Sequence, residues 1–302
     1  MYEKFYGLSQ RPFTLAPNPQ FLFLSRVHEE AMGYLRFGVE SGAGFMALTG
    51  EVGAGKTTVV QALLRTLDQR VMVVRLMNTL LDPQELLESI LIDMGAEHIP
   101  ASKPAMLRDL AMMLVTEQRQ RRRVLLVIDE AQNLSYASLE ELRMLSNLET
   151  ETSKLMHIVL VGQPDLRDRL VSPDLDQLSQ RVTVRYHLDP LDSADTHEYI
   201  NHRLRLAAAE EPMTFGAELT SAIHERSGGL PRLINVICDA VLMAGYGEGR
   251  ETITAPLLAE VIRELEENGQ LGSRTPGRRP WARPGIQHLP RQPARPQVAQ
   301  RN

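Results

Sequence analysis

The sequence predicts an α/β fold, a parallel five-stranded sheet sandwiched between helices, followed by a small all-helical unit and a disordered tail. Three observations carry this. Short β-branched runs alternate with longer helical patterns as far as Pro190, the strand pattern then stops, and from Gly269 onward proline and arginine dominate. Alternation of this kind is the mark of crossover units around a sheet covered on both faces.

The elements follow in order. Phe45 to Thr49 reads as the first strand and Thr57 to Leu67 as the helix after it. Val71 to Leu76 is the second strand, and Pro83 to Met94 and Ala105 to Gln118 are helices. Val124 to Ile128, His157 to Val161 and Val182 to Tyr186 complete the sheet, with a helix over Leu139 to Glu149. After Pro190 only the helical period remains, over Ala194–Ala208, Gly216–Arg226, Pro231–Ala244 and Pro256–Glu267. The expected units are therefore 1–190, which includes a distinct opening segment 1–25, then 191–268, and a tail 269–302. The tail holds six prolines, which remove backbone donors and fix φ, and almost nothing to bury.

Composition narrows the class. The chain has 302 residues, 43% of them hydrophobic, enough for a real core and too many for wholesale disorder. No apolar run approaches the roughly 18 residues of a membrane helix, and Met1 to Lys4 does not open a signal peptide. A single cysteine, Cys238, excludes a disulfide framework and is expected in the core. The eight histidines show no ligand spacing, so no structural metal is expected. The net charge is −5, but the tail has seven arginines and no acid, which leaves −12 on the rest. An acidic body of cytoplasmic type thus carries a basic extension.

The residues Gly50-Glu51-Val52-Gly53-Ala54-Gly55-Lys56-Thr57, continuing into Thr58, fit the pattern G-x-x-x-x-G-K-[ST] between a strand and a helix. Glycines let successive N–H groups turn toward an anion, and the helix start adds unsatisfied donors. Lys56 is expected to reach the β- and γ-phosphates of a nucleotide, and the Thr57 hydroxyl to ligate Mg²⁺. The apolar run Val124 to Ile128 ends in Asp129-Glu130. Neighbouring strand residues point to opposite faces, so the two acids have different tasks. Asp129 suits the Mg²⁺ shell and Glu130 suits the water that attacks the γ-phosphate.

Further polar positions follow. Gln163, after the fourth strand, is placed to reach the γ-phosphate and that water. Arg181, just before the fifth strand, is a candidate for neutralising phosphate charge in a neighbouring subunit, with Arg169 and Arg185 as alternatives. Gly228-Gly229-Leu230-Pro231-Arg232 stops one helix and starts another, bringing Arg232 toward the nucleotide from the helical unit. Asn78, after the second strand, is a candidate for holding Glu130 inactive.

Taken together and in this order, these motifs resemble an AAA+ ATPase, built on the P-loop NTPase αβα sandwich. More narrowly, they resemble the ExeA/GspA-type ATPases of general secretion. The opening Met1-Tyr2-Glu3-Lys4-Phe5-Tyr6-Gly7-Leu8, with Arg11-Pro12-Phe13 and Pro17-Asn18-Pro19, carries that likeness, as do Ala131 to Leu134, Glu141 to Asn147, and Gln180-Arg181 with Tyr186 and Leu188 to Leu191. Within that type the sequence most resembles the exosortase (PEP-CTERM) system-associated ATPases. The resemblance implies ATP hydrolysis with Mg²⁺, a homo-oligomer such as a hexamer, and partners in envelope secretion or polysaccharide export. It also implies a cytoplasmic location at or near the inner membrane. Secretion members usually continue into a membrane helix and a peptidoglycan-binding domain, whereas this sequence continues into the Pro/Arg stretch. A rival reading is a DNA-bound AAA+ regulator of transposition, since arginines in a flexible tail attract phosphates. The same arginines, with Trp281, would also suit anionic lipid headgroups. A nucleotide switch without turnover is disfavoured by Glu130.

Overall fold

A computed structural model describes residues 1–16, 18–150, 153–209 and 211–271. Five strands, β1 (Phe45–Gly50), β2 (Val71–Leu76), β3 (Arg123–Ile128), β4 (Met156–Gly162) and β5 (Val182–Leu188), form one sheet in the order β2-β3-β4-β1-β5. Every pairing is parallel. The inner strands β1, β3 and β4 are buried almost throughout because both sheet faces are covered, whereas the edge strands β2 and β5 carry Arg75 and Arg185. Met46, Leu48, Val159 and Val161 point into one core cluster, and Phe45, Ala47, Ile158 and Leu160 into the other.

The helices Pro83–Asp93, Lys103–Arg119 and Tyr136–Leu145 bury their apolar stripes in the second cluster. Local chemistry sets their starts. Asp82 accepts from the amides of Gln84 and Glu85 while Glu85 reaches back, closing a capping box. Ser135 accepts from Ser138 N, so that helix begins at Tyr136 rather than near Leu139, and it ends at Leu145 rather than Glu149. A helix over Arg26–Ser41 precedes β1, where none was expected. Its buried Val27, Ala31, Leu35 and Val39 recur at four-residue steps and seal the first cluster.

Beyond β5 the chain is helical, over Ser193–Ala207, Ala217–Ser227, Pro231–Gly247 and Ala255–Glu267. Cys238 is buried there, as expected. The opening segment packs against this helical region: Tyr2 Oη donates to Asp239, Ser9 N to Ala207 O at 2.7 Å, and Arg203 Nε to Pro12 O at 2.6 Å. The expected tail needs one correction at its root. Gly269 and Gln270 hydrogen-bond back to Glu266 and Leu265, and Leu271 is 5% exposed, packed in the core. Residues 272–302 of that tail, Pro17 of the opening motif and Trp281 lie outside the described residues. Among the described residues, no helix is long and apolar enough to cross a membrane.

Candidate nucleotide site

In parallel sheets with crossover helices, ligands settle at the carboxyl ends of the strands. There, the loop from Gly50 to Gly55 joins β1 to the helix Lys56–Thr66. Gly53 and Gly55 hold φ of 82° and 100°, a region open to glycine at little cost. Space enforces them as well. An added Cβ would lie 2.5 Å from Arg232 Cβ at Gly53 and 2.6 Å from His28 Nε2 at Gly55. No side chain caps this helix, so its first-turn donors are open to an anion held by the loop.

Lys56 is 6% exposed, and its ammonium donates to Gly50 O at 2.9 Å and Glu51 O at 3.0 Å. Burial pulls its pKa down, against the opposing influence of Glu130, Asp129 and Glu51. Thr57 Oγ1 donates to Asp129 Oδ2 at 2.9 Å. Asp129 Oδ1 in turn accepts the Glu130 amide at 3.0 Å. Hydroxyl and carboxylate oxygens in contact are the hard donors that Mg²⁺ prefers, so the residues present fit that ion. Among the described residues, no cluster of three or more His, Cys, Asp or Glu forms a separate metal site.

Glu130 has φ of 51°, a left-handed backbone for a residue with a side chain. Gln163, at the position after β4, donates from Nε2 to Glu130 Oε2 at 3.1 Å. Gln132 Nε2, which the sequence reading did not single out, reaches the same oxygen at 2.6 Å. Burial would raise the Glu130 carboxyl, but the two amide donors and the Lys56 charge overcome this and hold it below the usual carboxylate range. Asn78 does not take part. Its Oδ1 accepts from Leu80 N in the loop after β2, and it is Thr79 Oγ1 that donates to Glu130 O, at 3.3 Å.

The arginines separate. Arg232 is at the start of the helix Pro231–Gly247, where its amide donates to Gly53 O at 3.3 Å, so the helical region touches the loop directly. Gly229 makes this approach feasible: Leu191 N donates to Gly229 O at 3.0 Å, and an added Cβ would sit 2.0 Å from Leu191 O. Arg181 lies elsewhere. It precedes Val182, which pairs with Phe45 at the start of β1, whereas the loop leaves from the end of β1. That is about 17 Å along a strand at 3.3 Å per residue. Its Nη1 donates to Ser146 Oγ at 2.9 Å and to Asn147 Oδ1. Of the alternatives, Arg185 bonds Ser179 Oγ at 2.9 Å. Arg169 Nη1 donates to Gln132 O while its guanidinium covers the Tyr136 ring at 4.8 Å.

A cavity of about 420 Å³ opens between loop and helical region. Gly53, Gly55, Lys56, Thr57, Thr58, Glu130 and Arg232 line it, and Phe21, Phe23, Tyr199, Arg203 and Asn235 close its far side. The Arg203 guanidinium is fixed there between Phe21, Pro12 O and Tyr199 Oη, with Tyr199 Oη donating onward to Asn235. His28 is a second wall residue that no local motif marked. A carbonyl can only accept, so Nε2 carries the proton toward Ala54 O at 3.2 Å and Nδ1 accepts from Ser25 Oγ at 2.7 Å.

The geometry and the sequence relatives agree on a class. An AAA domain family profile matches residues 39–170. The same fold is found in ORC2 of Aeropyrum pernix, solved in ADPNP-ADP complexes, with 18% identity and a TM-score of 0.62 over 84% of this chain and 71% of that one. Cdc6p of Pyrobaculum aerophilum shares it at 17% identity and a TM-score of 0.63, over 84% and 70% of the respective chains. Residues 39–170 therefore match an AAA domain, and the fold is that of P-loop NTPases. A particular relative is nearer in sequence. General secretion pathway protein A of Aeromonas hydrophila is 41% identical over 257 residues, 84% of this chain. The chain spans about half of that relative, 46% of its length.

Proposed function

We propose that this chain is a Mg²⁺-dependent ATP hydrolase of the General secretion pathway protein A type, acting as a homo-oligomer in envelope secretion or exopolysaccharide export. The exosortase-associated subgroup is its narrower assignment, and the cytoplasmic side of the inner membrane its place of work. The observation that carries hydrolysis is Glu130, an ionised carboxylate in the same cavity as Lys56 and one residue from the Thr57–Asp129 pair.

In this reading, loop amides and the helix start hold the phosphates, and Lys56 exchanges its two carbonyl partners for β- and γ-phosphate oxygens. Residues Gly50 to Thr58 form the cradle. Thr57 and Asp129 hold Mg²⁺, which neutralises phosphate charge when bound. Glu130 orients water for attack on the γ-phosphorus while the bond to the β-phosphate oxygen breaks. Gln163 spans water and γ-phosphate, and Arg232 contributes its charge from unit 191–268 to unit 1–190. Arg181, at the opposite end of the sheet, serves the site of a neighbouring subunit. Glu130→Gln should keep ATP affinity and lose turnover by about 10²-fold or more, read as Mg²⁺-dependent phosphate release. An unchanged rate would refute the role.

A second reading, in which nucleic acid is the partner, has one observation behind it. At the other end of the strands, Arg70, Arg121, Arg122, Arg123 and Lys154 line a groove of about 1040 Å³ together with Glu40, Asp68 and Glu149. Arg122 is paired with Glu117 and Lys154 with Glu149, while Arg121 holds φ of 57° at the turn before β3. DNA that stimulates turnover, with an effect that falls steeply with salt, would favour this reading. Indifference to DNA at low salt would remove it.

A further inference from the structure

We infer that Gln132 is a positioning residue for hydrolysis, a bridge that fixes the Glu130 carboxylate by one oxygen and leaves the other for the attacking water. The inference rests on the hydrolytic reading of the site and adds a residue to it.

The orientation of the bridge follows from hydrogen-bond chemistry. The backbone amide of Gln163 donates to Gln132 Oε1 at 3.1 Å. An N–H can only donate, so the atom it meets is the side-chain carbonyl oxygen, and the amide nitrogen faces the other way. That nitrogen lies 2.6 Å from Glu130 Oε2, which also accepts from Gln163 Nε2 at 3.1 Å. Gln132 is thus held at both ends, and both donors meet on the same carboxylate oxygen. Among the described residues no hydrogen bond reaches Oε1 of Glu130.

Two further features hold the bridge in place. Arg169 anchors the Gln132 carbonyl while stacked on Tyr136. Gly162 leaves room for it, because an added Cβ would lie 2.8 Å from Gln132 Oε1 and 2.8 Å from Leu166 Cδ2. The ladder therefore runs from the end of β4 through Gln132 to Glu130, fixing a carboxylate whose own backbone is in a left-handed turn. A group placed within a fraction of an ångström of its working geometry is sensitive to loss of such support, since a 1 Å displacement can cost about 10²-fold in rate.

Gln132→Ala and, independently, Gly162→Ala in the full chain test this by steady-state ATP turnover and by titration with a fluorescent ATP analogue. Gln132 is half-buried, and among the described residues its side chain hydrogen-bonds only Glu130 Oε2 and Gln163 N, so its truncation leaves the core intact. The expected result is a kcat lower by about 10- to 100-fold with nucleotide affinity within twofold of wild type. Combining Gln132→Ala with Glu130→Gln should slow turnover no further than Glu130→Gln alone, because the inferred effect on turnover runs through that carboxylate. A Gln132→Ala rate equal to wild type, a proportional loss of affinity, or a further loss in the Glu130→Gln background would each overturn the inference. If Glu130→Gln is inactive while Gln132→Ala turns over normally, hydrolysis stands and only the bridge falls. A wild-type protein that binds ATP without hydrolysing it would overturn both.

Discussion

Gly229→Ala probes the joint that lets the helical region reach the phosphate loop. The residue holds φ of +75°, and an added Cβ would sit 2.0 Å from Leu191 O, 3.0 Å from Leu191 C and 3.2 Å from Leu191 N. All three are backbone atoms, so no side chain can rotate away. The left-handed conformation costs about 1–2 kcal/mol for a residue with a Cβ. Forcing extra volume into a filled site adds about 1–3 kcal/mol, giving a loss of about 2–5 kcal/mol. With a urea dependence of about 3 kcal/mol per molar, the unfolding midpoint should fall by about 0.7–1.7 M. Gly228→Ala is the matched control: its φ is +61° but an added Cβ meets nothing within 4 Å. It should show the conformational cost alone, about 1–2 kcal/mol. Urea titrations followed by circular dichroism compare the two. Equal midpoints for both variants would refute the close approach of Gly229 to Leu191, and with it the account of how Arg232 is brought against Gly53.

Arg181 and His28 carry further predictions. Arg181→Ala and Glu130→Gln proteins, each slow alone, should recover part of the turnover when mixed, because one intact interface can then pair a sound arginine with a sound glutamate. Absence of recovery in confirmed mixed oligomers would argue against action between subunits. Burial holds the His28 imidazole below its ordinary pKa near 6.5. The unfolded chain takes up that proton first as pH falls, so stability present above about pH 6.5 is lost on the way down to the lowered folded value. His28→Gln should therefore lose less stability than wild type between about pH 7.5 and 5.5, measured as urea midpoints. Part of the decline should remain, because burial lowers His157, His187 and His202 as well. Identical declines would refute the contribution.

The phosphate loop and the acid pair are legible because their spacing is local: a strand, a tight anion-binding turn and a helix, then an apolar run ending in carboxylates. Gln163 and Arg232 are legible at one remove, as polar residues at a strand end and a helix start. What escapes the sequence depends on contacts between distant segments. His28 is 26 residues from the carbonyl it holds, and Gln132 is 31 from the amide that orients it. Gln132 stands within Ala131 to Leu134, a stretch that carries the family likeness, but nothing in that stretch marks its contacts, and His28 stands in no motif. Asn78 was a reasonable candidate by position, but its side chain closes a local turn onto Leu80, the usual competing use of an asparagine. The helix Arg26–Ser41 had a signal, in apolar residues four apart, although its polar face is broad enough to blur it.

The central claim is that the cavity above β1 takes a nucleotide by its phosphates, with Lys56 as the principal charge. Isothermal titration of the purified chain with ATP and Mg²⁺, beside Lys56→Ala, addresses it most directly. Saturable binding by the wild type that disappears in the variant is the predicted result. Heats that remain at dilution level up to millimolar nucleotide, or equal binding by both proteins, would contradict it.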